Sequence, residues 1–320
     1  MQLSMKTIVI TGGNTGLGYE CAKTLAQTEK NAHIVLACRN TKKGEEAAFA
    51  MKKETGHTNI TAMELDLSSL ESVRTFAKKF STSPLPPLYA LVCNAGVQFV
   101  DKAHVSKDGF EETFAVNHLG HFLLINLLVD KMVDHGRIVF VSSGTHDPLK
   151  KSGMPEPVYE DAMLLAYSSK EVAAKDVSFT GRRLYTTSKL CNIYCTYELA
   201  DRINLLTNKQ ITVNAFDPGL MPETGLARSW SPFLRFVSRY ILGMLILVHP
   251  QVNTTAKSGR RLAALVTSPQ FEDSTGKYYE GVKEIPSSVM SYNLVNRKNL
   301  WNVSVELTKL KASESILLTD

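Results

Sequence analysis

Apolar runs alternate with charged, helix-periodic stretches through the first half of the chain. Thr7-Ile8-Val9-Ile10 is a β-branched run suited to a buried strand. A glycine-rich turn follows, then a helical stretch over 17–27. Ile34-Val35-Leu36-Ala37-Cys38 reads as a second strand, followed by a helix over 42–54. A third strand at 60–65 leads to a helix reaching Phe80, with Ser68 or Ser69 as its N-cap. A strand at 88–93, a long helical region over 111–133 and a strand at 137–141 complete this half. Continuously apolar strands separated by helices predict a parallel sheet covered on both faces. The right-handed crossover rule makes it a doubly wound, Rossmann-type sheet. The expected fold class is therefore α/β, with the whole chain as one domain.

The rhythm breaks over 144–183, which carries Pro148, Pro155, Pro157 and mixed charge. This segment reads as an insertion on the surface or over the mouth of a site. Helices are then expected over 184–203, 254–266 and 290–310, and strands at 211–216 and 276–279. Between the first of these strands and the helix at 254 lies a Pro-Gly turn and an apolar helix.

The 320 residues are 44% apolar and 21% charged, an ordinary globular composition. The net charge of +5 is too mild and dispersed to argue for nucleic acid. Cys21, Cys38, Cys93, Cys191 and Cys195 sit in apolar segments, without the spacing of a zinc site. They read as reduced, buried thiols. The N-terminus has no signal-peptide pattern, and a cytoplasmic location is expected. The longest apolar run, Tyr240–Val248, is nine residues, against roughly 20 for a membrane span. Contact with a membrane surface stays open. His118 and His121 have helical spacing but no further ligands, so no metal is expected. Asn59, Asn253 and Asn302 lie in glycosylation-type triplets that carry no meaning in a cytosolic chain.

The first strand runs into Thr11-Gly12-Gly13-Asn14-Thr15-Gly16-Leu17-Gly18, which opens the first helix. A glycine-rich turn there lets backbone approach a pyrophosphate, and the helix N-terminus offers free N–H groups. A tight turn with no ligand is the alternative. At the end of the second strand stands Arg39, with Lys42 and Lys43 close behind. An NAD site has an acidic residue there, whereas a guanidinium suits a 2′-phosphate. This favours NADP(H) over a merely solvated helix start. Asp66 either meets an adenine or caps the next helix. Asn94-Ala95-Gly96 permits backbone approach to a ribose, or is simply a turn.

Tyr185 and Lys189 lie four apart, on one helical face. A phenol titrates near 10, too high for efficient proton transfer at neutral pH, and a nearby ammonium lowers it. Ser143 ends the fifth strand, where such sheets place their ligand crevice. Asn117 stands inside a helix, where its propensity is poor. A buried Asn that distorts the helix could hold a water leading from Lys189 to solvent.

These motifs, in this order, resemble the short-chain dehydrogenase/reductase family over residues 5 to about 285. The resemblance implies Asn117, Ser143, Tyr185 and Lys189 as a catalytic tetrad, with Lys189 also bonding the nicotinamide ribose. It implies Asp217-Pro218-Gly219 and Thr224 as the nicotinamide-side loop. The runs 37–44, 117–122 and 189–192 are similar to retinol dehydrogenases and to light-dependent protochlorophyllide oxidoreductase. By that resemblance Arg39 and Lys43 hold the 2′-phosphate. Tyr185 follows Ser143 by 42 positions, a long gap that also resembles the protochlorophyllide enzyme. That enzyme has Cys directly after the Pro-Gly, and this chain has Leu220.

Residues 220–250, with Phe233, Phe236 and Ile241 among Arg228, Arg235 and Arg239, read as a substrate lid, a core helix or a homo-oligomer face. As a lid they imply a lipophilic substrate, with the arginines meeting a carboxylate or an anionic membrane. The expected function is an NADPH-dependent oxidoreductase acting on a lipophilic carbonyl, alcohol or activated double bond, with Tyr185 moving the proton. The alternatives are photoreduction of protochlorophyllide and a non-catalytic NADP(H)-binding sensor or scaffold.

Overall fold

The structure, a computed structural model, describes residues 4–168, 176–221 and 253–318. Among them, strands β1 (Lys6–Thr11), β2 (Ala32–Cys38), β3 (Ile60–Glu64), β4 (Leu88–Cys93), β5 (Met132–Val141), β6 (Thr212–Asp217), β7 (Lys277–Glu280) and β8 (Lys283–Glu284) form one sheet. Its order is β3-β2-β1-β4-β5-β6-β7-β8. Strands β1 to β7 pair in parallel, and only the short β8 is antiparallel. The order reverses between β1 and β4, so a crevice opens beyond the carboxyl ends of these two strands.

One face is covered by α1 (Gly16–Thr28), α2 (Thr41–Thr55) and a later helix over Thr255–Thr267. Ile8, Ile10, Leu25, Leu36, Leu262 and Val266 are fully buried in that layer. The other face carries α3 (Leu70–Thr82), the helical stretch over 112–128 and the helix Val177–Leu206. Helix α4 runs from Glu112–Phe114 through a π-helical turn, Ala115–Leu119, into Gly120–Leu128. Helix α5 is Ala162–Ala166 and α6 is Val177–Leu206. With Thr255–Thr267 as α7, the C-terminal helix α8 is Leu294–Thr308. It lies outside α4 and α6 as an added layer: Trp301 meets Phe122 edge-on at 4.9 Å, and His118 pairs with Ser304 at 2.8 Å.

The caps match the local chemistry. Asn40 Oδ1 accepts from Lys43 N, and Gly56 closes α2 in the left-handed region at φ 70°. Ser69, one of the two expected caps, accepts from Ser72 N. Two boundaries differ from expectation. Strand β5 begins at Met132 instead of 137, because its register with β4 shifts between Leu88 and Ala90 and His135 takes φ 57°. Helix α6 begins at Val177, capped by Asp176, so the end of the expected insertion is helix. The earlier part of that insertion is tied down. Thr187 Oγ1 accepts from Val158 N, and Tyr159 hydroxyl donates to Asn299. Thr224 and nearly all of the expected lid lie outside the described residues.

Candidate active site

The carboxyl end of β1 is built around Thr11. Its Oγ1 accepts from Asn94 N and Ala95 N, both at 2.9 Å. With those lone pairs used, its proton goes to His121 Nε2 at 2.9 Å. His121 Nδ1 lies 3.2 Å from the Asn117 carbonyl, so the neutral Nδ1–H tautomer satisfies both partners. Burial agrees, pulling this imidazole down to about 4. Thr11 and Asn94 thereby join the glycine turn to the Asn94-Ala95-Gly96 turn, and Asn94 Nδ2 donates to Thr11 O at 2.8 Å.

The glycines have separate reasons. Gly12 and Gly16 take φ 63° and 57°, where a side chain is strained. A Cβ at Gly18 would stand 2.5 Å from Asn94 Nδ2 and 2.6 Å from Gly12 O. A Cβ at Gly16 would meet nothing within 4 Å among the described residues, so there is open space beside the loop at that point. Helix α1 has no side-chain cap at Thr15 and no acid in its first turn. Its first N–H groups thus keep their capacity for an anion, and the loop fits a pyrophosphate. Leu17, by contrast, is buried in the core beneath.

Arg39 and Lys43 are both exposed around the start of α2. Asp66 is buried, and its Oδ1 accepts from Ser68 N and Ser68 Oγ at 3.1 and 2.7 Å. Lys107 pairs with its Oδ2 at 3.0 Å. Burial opposes ionisation of Asp66, yet the Ser68 and Lys107 bonds together hold its carboxyl below the usual range. Ser69, and not Asp66, caps α3.

Asn117 sits within the π turn and is fully buried. Its Oδ1 accepts from Val97 N at 2.8 Å, and its Nδ2 donates to Val97 O and Ser188 Oγ at 3.0 and 2.9 Å. Both side-chain donors are thus spent on protein. They tie the loop after Gly96 to α6.

Tyr185 and Lys189 are buried on α6, with the Lys189 Nζ 5.4 Å from the Tyr185 ring centre. Nζ donates to Val141 O at 3.0 Å. A Cβ on Gly96 would lie 3.4 Å from Asn117 Oδ1 and 3.6 Å from Nζ. Gly96, Asn117, Lys189 and the end of β5 therefore converge. Ser143 stands two residues beyond Val141, and its Oγ accepts from Thr145 N at 3.3 Å. Burial pulls Lys189 down to about 8, with the nearby Asp217 opposing. Burial pushes the Tyr185 phenol up, and Asp217 adds to that rise. The expectation from the Tyr–Lys spacing is a lowered phenol, whereas burial and then Asp217 set the direction of the shift in this structure.

Three contributors escaped the sequence reading: Ser142, Asn192 and the ring of His121. Ser142 Oγ donates to Lys189 O at 2.9 Å, and Asn192 Nδ2 shares Val141 O. His121 was weighed only as a metal ligand, and its ring serves Thr11. Asp217, at the end of β6, accepts from Gly219 N and the Tyr278 hydroxyl, each at 2.9 Å. Gly219 has φ 75°, and Pro218 O is held by Ser258 Oγ at 2.7 Å and by the buried Asn253.

Comparison with known proteins identifies the family of the chain. The family model described as short chain dehydrogenase matches residues 6–153. The WW domain-containing oxidoreductase of Gallus gallus is 33% identical over 309 residues, covering 96% of this chain and 69% of that protein. The polyprenol dehydrogenase of Homo sapiens is 31% identical, covering 95% and 85%. The chloroplastic protochlorophyllide reductase of Daucus carota is 34% identical, covering 95% and 78%. A crystal structure of an uncharacterised protein from Mycobacterium paratuberculosis superposes with a TM-score of 0.68 at 27% identity, covering 96% of this chain and 94% of that one. The chain is a member of the short-chain dehydrogenase family and an oxidoreductase.

Proposed function

We propose that this protein is an NADP(H)-dependent oxidoreductase acting on a lipophilic carbonyl or alcohol. The observation that carries the reading is the burial of Lys189 between the Tyr185 ring, Gly96 and the end of β5. A buried ammonium placed this way serves a cofactor ribose and a phenol together. Gly12, Asn14, Thr15, Gly16, Leu17 and Gly18 would cradle the pyrophosphate, and Arg39 with Lys43 the 2′-phosphate. Thr11 and Asp66 shape the floor of the adenosine half, and Asn94, Ala95 and Gly96 its ribose side. Pro218, Gly219 and Thr224 would border the nicotinamide. When bound, the cofactor supplies or accepts the hydride.

The chain's own groups handle the proton. Ser143 holds the substrate oxygen, and Tyr185 donates a proton to it in reduction or takes one in oxidation. Lys189 steadies the phenolate left behind. Asn117 positions the Gly96 loop and α6 relative to one another. The lipophilic class is supported by polyprenol dehydrogenase among the relatives. Among the described residues no helix is long and apolar enough to cross a membrane.

The test is a screen of aliphatic and polyene aldehydes and ketones, following NADPH absorbance in darkness and under light. Dark turnover of an aldehyde or ketone supports the reading. The second reading, reduction of protochlorophyllide, is favoured by the 34% identity to the carrot enzyme. It requires turnover of that pigment only under illumination. NADPH binding with no turnover of any probe would leave the sensor role.

A further inference from the structure

We propose that His146 is a positioning residue for Ser143, holding the serine's backbone through its Nδ1–H while its Nε2 anchors the C-terminal segment. This rests on the reading of Ser143 as the hydroxyl that holds the substrate oxygen. His146 is fully buried in the turn that follows β5. Its Nδ1 lies 2.7 Å from Ser143 O, and its Nε2 lies 3.0 Å from Ser288 N. A backbone N–H can only donate, so Nε2 is the acceptor. The ring proton is then on Nδ1 and points at the serine carbonyl. The two partners settle the tautomer between them.

The ring is braced on its other side. Tyr278 meets it edge-on with centres 5.0 Å apart, and the Tyr278 hydroxyl is spent on Asp217 Oδ2. A Cβ on Gly144 would lie 2.9 Å from that same oxygen. The turn after Ser143 is thus clamped between an imidazole and a buried carboxylate. Beyond Ser288 the contacts continue into α6. Ser287 Oγ lies 2.6 Å from both Ser291 Oγ and the Tyr197 hydroxyl, and Tyr197 shares α6 with Tyr185. A buried route therefore runs from the serine carbonyl through His146 and 287–291 to the helix that carries the proton donor. Rotation of the Ser143 backbone would swing its Oγ away from a substrate oxygen. A misplacement of about 1 Å is enough to cost a large factor in rate.

Two near-isosteric variants divide the ring's two jobs. Asn puts an N–H donor where Nδ1 stands, and Gln puts an acceptor where Nε2 stands. With the best carbonyl probe from the screen, His146→Gln is expected to lose about tenfold in kcat with the KM for NADPH unchanged. His146→Asn is expected to stay within about threefold of wild type. Wild-type turnover in the Gln variant, or an equal loss in the Asn variant, would overturn the proposal. Ser143→Ala in the same assay separates the two claims: wild-type turnover there removes the role of Ser143 itself, whereas its loss beside a normal Gln variant removes only that of His146. If a variant fails to fold, ¹⁵N spectroscopy of the His146 ring in the intact protein decides. A protonated Nδ1 with a bare Nε2 is expected, and a protonated Nε2 would overturn the assignment.

Discussion

Lys189 meets two opposed demands. Burial favours its neutral form and brings it down to about 8, whereas the proposed chemistry needs a cation beside the phenol. Tyr185 is pushed the other way by the same burial, so it stays protonated and ready to donate through the neutral range. Carbonyl reduction is therefore expected to be flat in kcat/KM below pH 8 and to fall as pH rises past about 8, where the free enzyme's Lys189 loses its proton. A profile that climbs through that region would contradict this. Arg39 poses a separate question, since it is exposed and free to meet a phosphate. Arg39→Ala is expected to weaken NADPH by about tenfold, the worth of one charge-assisted contact, and to leave NADH unchanged. Fluorescence titration with both nucleotides checks it. The individual residues most legible in the sequence were those in unfavourable places, such as Asn117 inside a helix. Ser142 and His121 carried no such signal. Each acts through a partner far along the chain, His121 with Thr11 for example.

At the level of elements, α4 and α6 do the positioning. The π turn at Ala115–Leu119 gives up regular helix so that Asn117 can pair with Val97 on both its N–H and its carbonyl. Helix α6 lies so close to that loop that a Cβ on Gly181 would come within 1.9 Å of Phe99 O. Gly181→Ala is therefore expected to displace the 96–100 loop and cost about 1–3 kcal/mol of stability. NADPH affinity should fall with it, because Gly96 is in the same loop. Denaturant unfolding and nucleotide titration measure the two effects, and an unaltered Ala variant would show that the loop is not held there. Strand and helix existence was readable throughout the described half of the chain up to β5, because buried parallel strands are apolar on both faces. The start of α6 was not, since Gly181-Arg182-Arg183 hides the helical period before Leu184. The start of β5 was hidden likewise by the polar residues at its register shift.

Across the whole molecule, the parallel sheet sets the crevice and the C-terminal helix backs the site from outside. Trp301 packs on Phe122 of α4, and the Arg202 guanidinium of α6 lies 4.3 Å over its ring. Helix α8 thereby braces both elements that position the site. Trp301→Ala is expected to cost about 3–5 kcal/mol, read as a lower melting temperature. Little change in melting would mean that α8 contributes no core. The helix itself was visible in the sequence, but its docking was not, because long-range packing leaves no mark in local periodicity. The central claim concerns the phenol and ammonium on α6. Its most direct test is Tyr185→Phe, with single-turnover hydride transfer and NADPH binding measured on the same preparation. The account expects the rate to fall by about 100-fold or more while the NADPH Kd stays within about twofold. Full turnover in the Phe variant would contradict it.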